Sequence, residues 1–413
     1  MKLEVVTIGT ELVLGLTPDT NAADLGRALA AAGAEIVRHV SVPDRPAAIR
    51  AAVADALEQT GFVIVTGGLG PTRDDMTKVE VAALFGMPLQ LDESVLQSLE
   101  ARFRRLGRPM PAVNRTQAEV PQGATVLPNP RGTAPGLWLE DRHGRVAVLL
   151  PGVPSEMRGL LVEEVLPRVV QRIGDRRVVL SRTVRTTGVP ESALAERIGP
   201  IEEDIAPLTL AYLPSTEGVD LRVTAWSMPE GEADRRLAAC LAILRERAGE
   251  HCYGEDGADL AAVVLERLRG QRLAVGESCT GGLVAARITA IPGASTVFVG
   301  GVVAYANGVK TDLLDVPAAT LEAHGAVSEE AVRAMAEGVQ RRFNAGATIA
   351  VTGIAGPGGG TPEKPVGTVW LAARVGATMR TVKRVFPGER AEIRARAAQA
   401  ALDLLRRLLT TSS

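Results

Sequence analysis

Hydrophobic positions in the first 150 residues fall into short unbroken runs separated by stretches with helical spacing. Leu3 to Ile8, Ile36 to Val42 and Phe62 to Thr66 are apolar, β-branched-rich runs of strand length. Between them, Asn21 to Ala32 and Ala47 to Leu57 predict helices, and Gly33 stops the first. Met76 to Phe85 predicts a further helix and Val146 to Leu150 a late buried strand. Runs without polar alternation are buried on both faces, so repeated strand–helix units predict a parallel sheet covered on both sides.

The pattern then changes. Val178 to Thr187, Thr209 to Leu213 and Asp220 to Trp226 predict strands, and Glu191 to Ile198 and Glu232 to Arg247 helices. Together they predict a small α+β domain. A second α/β domain follows, with strands at Leu273 to Val275, Thr296 to Ala304, Thr348 to Thr352, Thr368 to Arg374 and Arg380 to Phe386. A long helix from Glu389 to Leu409 closes it. The expected domains are 1–173, 174–255 and 256–413, with charged Gly174-Asp175-Arg176-Arg177 opening the middle one.

Composition narrows the function classes. The 413 residues are 46% hydrophobic and 23% charged, as in globular chains. A net charge of −2 and 3% aromatics offer neither a basic footprint nor stacking platforms for nucleic acid. The N-terminus enters a strand at once and no apolar run is long enough to span a bilayer, so neither a signal peptide nor a membrane partner is expected. Three cysteines without CxxC spacing fit a cytoplasmic location better than a disulfide framework. The four histidines show no paired metal spacing.

Candidate chemistry concentrates where a parallel sheet ends. Glu277-Ser278-Cys279-Thr280-Gly281-Gly282 lies between a strand and the helix-like Leu283 to Ala290. Such a turn sets two hydroxyls and a thiol beside a helix N-terminus whose backbone N–H groups are expected to be open to an anion or oxyanion. Ser278 is a candidate nucleophile and Cys279 its rival, while Ser278 or Thr280 equally suits a helix cap. With no histidine nearby in sequence, a partly desolvated lysine can act as base, and Lys310 is the candidate. Thr352-Gly353 opens a Gly-rich run to Gly360, and Arg390 begins the last helix. In the first domain, Gly67-Gly68-Leu69-Gly70 lets backbone approach a ligand. Asp74 and Asp75 after it suit a hard divalent cation on a diphosphate, or a helix N-cap. Gly9-Thr10-Glu11-Leu12 and Asn129 to Gly136 are further loops able to complete a pocket.

Taken together these motifs resemble the CinA (competence/damage-inducible protein A) family over essentially the whole chain. Gly9 to Leu12, Gly67 to Thr77, Asn129 to Gly136 and Leu150 to Pro154 resemble its molybdopterin-binding-like N-terminal domain. Glu277 to Gly282, Gly300 to Tyr305, Gly325 to Ser328, Thr352 to Pro357 and Lys364 to Val369 resemble its C-terminal domain. The resemblance implies an α/β protein of three parts: a three-layer molybdopterin-binding-like domain, a small KH-like α+β domain, and an α/β deamidase domain. It implies hydrolysis of nicotinamide mononucleotide to nicotinic acid mononucleotide and ammonia by the last domain, with no cofactor. It implies cleavage of ADP-ribose by the first, with magnesium or cobalt held by Asp74 and Asp75, and Thr10, Glu11, Gly67, Gly68 and Gly70 at the substrate. Carried over by motif, Ser278 is the nucleophile, Lys310 its base, and Tyr305 orients the lysine or packs on substrate. Thr280 and the backbone at Gly281 then help hold the reacting amide, Arg390 contacts the nucleotide, and Thr352 and Gly353 are further substrate-binding residues. A homodimer is the expected assembly. The competing readings are a nucleotide-sensing first domain without useful hydrolysis, a DNA-uptake partner, and molybdenum-cofactor biosynthesis. The last leaves the C-terminal half without a role. The middle segment has no G-x-x-G clamp, so a KH-like shape there does not imply RNA binding.

Overall fold

The computed structural model describes residues 1–173 and 177–411. The expected start of the middle domain at 174–176 lies outside the described residues. The chain forms two compact units, 1–180 with 225–235 and 181–224 with 236–413.

In the first unit the strands are β1 (Lys2–Ile8), β2 (Glu35–Val42), β3 (Phe62–Thr66), β4 (Leu89–Leu91), β5 (Glu119–Pro121), β6 (Thr125–Leu127), β7 (Gly136–Glu140) and β8 (Val146–Leu150). Six make one sheet in the order β2-β1-β3-β8-β7-β6, and β4 pairs with β5 separately. The first four run parallel. β7 and β6 run antiparallel at the edge, because the short link from Glu140 to Val146 cannot make a crossover. Alternate residues of the central strands feed two cores. Val63, Val65, Ala147 and Leu149 pack on Ile49 and Val53 of the helix Pro46–Thr60. Phe62, Ile64, Val146 and Val148 pack on Leu25, Leu29 and Met157 of the helices Thr20–Ala31 and Pro154–Leu160. Each fully buried aliphatic side chain contributes roughly 1.5–3 kcal/mol. The three layers hold the C-terminal ends of β1, β3 and β8 side by side.

The middle strands are β9 (Arg177–Thr186), β10 (Thr209–Pro214), β11 (Val219–Pro229) and β12 (Cys252–Glu255), in the order β10-β11-β9-β12. The helices Glu191–Ile198 and Glu230–Ala248 belong to this α+β segment.

The last domain contributes β13 (Leu273–Glu277), β14 (Phe298–Val303), β15 (Ala347–Gly353), β16 (Thr368–Val375) and β17 (Thr378–Val385), in the order β14-β13-β15-β16-β17. β14, β13 and β15 are parallel. β16 and β17 form an antiparallel hairpin, since only Gly376-Ala377 joins them. One sheet face (Val275, Ile349, Leu371) packs against Ile393, Ala401 and Leu405 of the C-terminal helix Arg390–Thr411. The other (Ala274, Ala350, Ala372) packs against Val332, Met335 and Val339 of the helix Glu329–Phe343. β13 continues two residues beyond Val275, so Ser278 is the first residue past the sheet. Among the described residues no helix is long and apolar enough to cross a membrane.

Candidate functional site

β13 delivers Ser278 to the end of the parallel strands, where its N–H donates to the Val351 carbonyl at 2.9 Å. Lys310 arrives from the helix Asn307–Leu314, which begins just after β14. Helical side chains lean toward their own N-terminus, so Lys310 folds back over that first turn. Its Nζ donates to the carbonyls of Ala304 (2.8 Å) and Tyr305 (3.1 Å) and lies 3.2 Å from Ser278 Oγ. Lys310 is 1% exposed and Ser278 7%. Burial pulls the ammonium below the ordinary lysine value of 10.5, and the nearby Cys279 opposes this. The positive end of the lysine's own helix acts in the same direction as burial. A neutral amine has two N–H groups, enough for the two carbonyls, and one lone pair for the serine hydroxyl. The serine–lysine pair is therefore chemically poised for proton transfer.

The open helix N-terminus expected at this turn is not open. Glu277, 1% exposed, turns its carboxylate onto the N–H groups of Gly282 (3.0 Å), Val284 (3.1 Å) and Ala285 (2.9 Å). The Gly281 N–H donates to the Ser278 carbonyl at 3.0 Å, so it too is taken. An internal carboxylate occupies the place of an external anion. The N–H groups of Cys279 and Thr280 take no oxygen partner among the described residues, but both lie within hydrogen-bond reach of the Cys279 sulfur. The first of them stands immediately after Ser278, the position an oxyanion hole uses in strand-to-helix elbows. Thr280 Oγ1 is also buried without a partner. Gly281 and Gly282 have φ of +60° and +94°, which L side chains rarely adopt. The Cys279 thiol is buried in the core and pushed up to about 12, mainly by desolvation. A thiol in that state is a poor nucleophile at neutral pH.

Tyr305 is 58% exposed, and its hydroxyl accepts a hydrogen bond from Arg390 Nη2 at 2.8 Å. Arg390 Nη1 donates to the Gly356 carbonyl at 2.6 Å, tying the Gly-rich loop to the last helix. One turn on, Arg394 donates to the Thr280 carbonyl from Nη2 (2.8 Å) and Nε (3.3 Å). Sequence reasoning missed Arg394, although its i+4 spacing from Arg390 puts both on one helix face. Thr352 Oγ1 is spent on the Ala326 carbonyl at 2.7 Å. Gly353 has no room for a side chain, since a Cβ would lie 2.7 Å from the Thr368 carbonyl oxygen. The lysine contact of Tyr305 is through its backbone carbonyl, not its ring.

In the first unit, Gly9, Gly67 and Pro151 follow the adjacent strands β1, β3 and β8. Gly67 has φ +109°, and a Cβ there would overlap the Ile8 carbonyl oxygen. Gly68 and Gly70 similarly leave space for Thr77 Oγ1 and the Asp75 carboxylate. Asp75 accepts from the Thr72 N–H at 2.9 Å and from the Thr72 hydroxyl. Asp74 is exposed, and a hydrogen bond from Thr72 leads the influences holding its carboxyl below the usual range. Neither aspartate caps the following helix, which begins at Thr77 without a side-chain cap. Among the described residues no group of three or more His, Cys, Asp or Glu side chains gathers around a metal-sized space. Thr10 donates from N–H (2.8 Å) and hydroxyl (3.0 Å) to Asp44, and Glu11 is exposed beside Gly9. Asn21 was not foreseen. Its amide donates to Thr66 Oγ1 (3.1 Å) and the Gly152 carbonyl (2.8 Å), and its Oδ1 is buried without a partner.

Comparison with known proteins agrees along the whole chain. Residues 4–171 match the family model described as probable molybdopterin binding domain. Residues 181–254 match that of the damage-inducible protein CinA KH domain, and 257–409 that of the CinA C-terminal domain. A CinA-like protein of Gemmatimonas aurantiaca is 54% identical over 411 residues, covering 98% of this chain and 96% of that protein. A putative competence-damage inducible protein of Symbiobacterium thermophilum is 44% identical over 423 residues, covering 99% of each. Among solved structures, the competence damage-inducible protein A from Klebsiella pneumoniae subsp. pneumoniae is 38% identical. It covers 37% of this chain and 97% of its own, with a TM-score of 0.36.

Proposed function

This chain belongs to the CinA family, and from that premise we propose that its C-terminal domain is an amidohydrolase acting on the nicotinamide amide of nicotinamide mononucleotide. The observation that carries the reading is the 3.2 Å approach of Lys310 Nζ to Ser278 Oγ, with both side chains buried. Neutral Lys310 takes the Ser278 proton as the oxygen attacks the carboxamide carbon. The negative charge that develops on the amide oxygen is met by the N–H groups of Cys279 and Thr280; one such donor is typically worth about 10²–10³ in turnover. Lys310 returns the proton to the departing nitrogen, ammonia leaves, and an ester of Ser278 remains. Water then cleaves the ester to nicotinic acid mononucleotide. Arg390, with Tyr305 beside it, supplies a guanidinium at the rim suited to the substrate phosphate.

For the first domain we infer cleavage of ADP-ribose to AMP and ribose 5-phosphate. Loops after three adjacent strand ends meet there, as ligand loops of open α/β sheets do. Asp74 and the free oxygen of Asp75 are the residues that fit a divalent cation, with the remaining ligands left to diphosphate and water. Such an ion, when bound, neutralises diphosphate charge and activates water. A binding role without hydrolysis is the second reading, favoured by the Asp75 oxygen already spent on Thr72. Incubating the protein separately with nicotinamide mononucleotide and with ADP-ribose plus a divalent metal series tests both readings. Ammonia and AMP are the expected products; nucleotide bound without AMP formation leaves the first domain a sensor.

A further inference from the structure

We propose that the cleft between the KH-like segment and the C-terminal helix is a second small-molecule site, selective for a phosphorylated ligand. The cleft lies within the second unit and encloses about 630 Å³, inside the range of ordinary ligand pockets. Its walls do not include Ser278, Lys310, Tyr305 or Arg390.

The charge inventory carries the proposal. Three acids line the cleft, and each is already paired. Glu217 pairs with Arg185 (2.8 Å) and Arg287 (3.6 Å), Asp403 with Arg406 (2.6 Å) and Arg407 (2.7 Å), and Glu250 with Arg407 (2.8 Å). Arg380, Arg384 and Arg396 line the same cleft, and among the described residues none has an ion-pair partner. Arg380 and Arg384 are four residues apart on β17, so strand periodicity puts both on one face. Arg396 comes from the facing helix, and its Nε is buried with no hydrogen-bond partner. A buried guanidinium N–H left unsatisfied costs free energy that a ligand oxygen would recover. Three planar cations from two elements match the several oxygens of a phosphate group better than a single carboxylate.

The rest of the wall sets the ligand's body. Val382, Phe386 and Leu404 add apolar surface to the same lining, as a sugar or base ring requires. Gly188, at φ +73°, also lines the cleft, and a Cβ there would crowd Asp403 and Arg407 at 3.1 and 3.2 Å. The class of ligand is thus a sugar or nucleoside phosphate, held at its phosphate by the arginine trio.

Calorimetric titration of the full-length protein with AMP, inorganic phosphate and adenosine tests this, alongside Arg384→Gln and Arg396→Gln. The expected result is an AMP-binding component weakened at least about tenfold in both variants. Adenosine should show no such component, and deamidation of nicotinamide mononucleotide should be unchanged. Arg384 is exposed, so its variant reads the site even if Arg396→Gln folds poorly. AMP isotherms of both variants that superimpose on wild type would overturn the site. Adenosine binding as tightly as AMP would overturn its selectivity. Because the readout is binding in variants that spare Ser278 and Lys310, failure here is distinct from failure of the deamidase reading.

Discussion

Lys310 is the residue on which the chemistry turns. A lysine this deeply buried, with no carboxylate paired to it among the described residues, resists protonation, so the folded state takes up its proton less readily than the unfolded chain. The unfolded state therefore binds more protons, and this group's contribution to stability rises with pH from its depressed folded value up to 10.5. The same sign governs the proposed reaction: deamidation should rise with pH as the amine loses its proton, then level off. A pH–rate profile falling across that limb would remove the lysine as base. Lys310→Met should abolish ammonia release, and Lys310→Arg should not rescue it, because guanidinium does not deprotonate in proteins. Near wild-type turnover in the arginine variant would contradict proton transfer at this position. Spacing alone could not fix a contact between residues 32 apart. The lack of a nearby histidine already pointed to Lys310 as the base, and the family resemblance then gave the same pairing. Glu277 shows the opposite problem: it is plainly visible in the motif, yet its inward carboxylate follows from the strand running to its end.

At the scale of elements, the turn after β13 is stabilised from within. Glu277→Gln keeps the shape but weakens the bonds to three N–H groups and sets an amide N–H₂ against one of them. A loss of about 1–3 kcal/mol is expected, read as a lower denaturation midpoint of the second unit. An unchanged midpoint would mean the carboxylate contributes nothing to the turn. In the first unit, Gly67→Ala should destabilise by roughly 1–3 kcal/mol, since it combines a positive φ with overlap at Ile8. Chemical denaturation checks it. Most strands and helices were legible because central parallel strands are uniformly apolar and their helices carry clean three-to-four spacing. The antiparallel edges were not: β6 and β7 are short, and β16 and β17 read as further α/β strands until the length of their connection is weighed. The N–H groups at the motif turn were misjudged because helix ends are open by default and only the folded structure shows what closes them.

At the scale of the whole molecule, two sets of loops at two sheet ends make the proposed activities separable. Ser278→Ala should leave metal-dependent ADP-ribose cleavage intact, and Asp75→Asn should leave deamidation intact while lowering AMP formation. Loss of both activities in either variant would mean that the sites are not independent. Composition bears on the chain as a whole too: with a net charge of −2, a gel-shift assay at physiological salt should show no retained DNA. The central claim is that the Ser278 hydroxyl, and not the thiol next to it, attacks the amide. Initial rates of ammonia release from nicotinamide mononucleotide by Ser278→Ala and Cys279→Ala, measured side by side, test it most directly. The account predicts no release from the serine variant and most of the wild-type rate from the cysteine variant; an active serine variant, or a dead and folded cysteine variant, would contradict it.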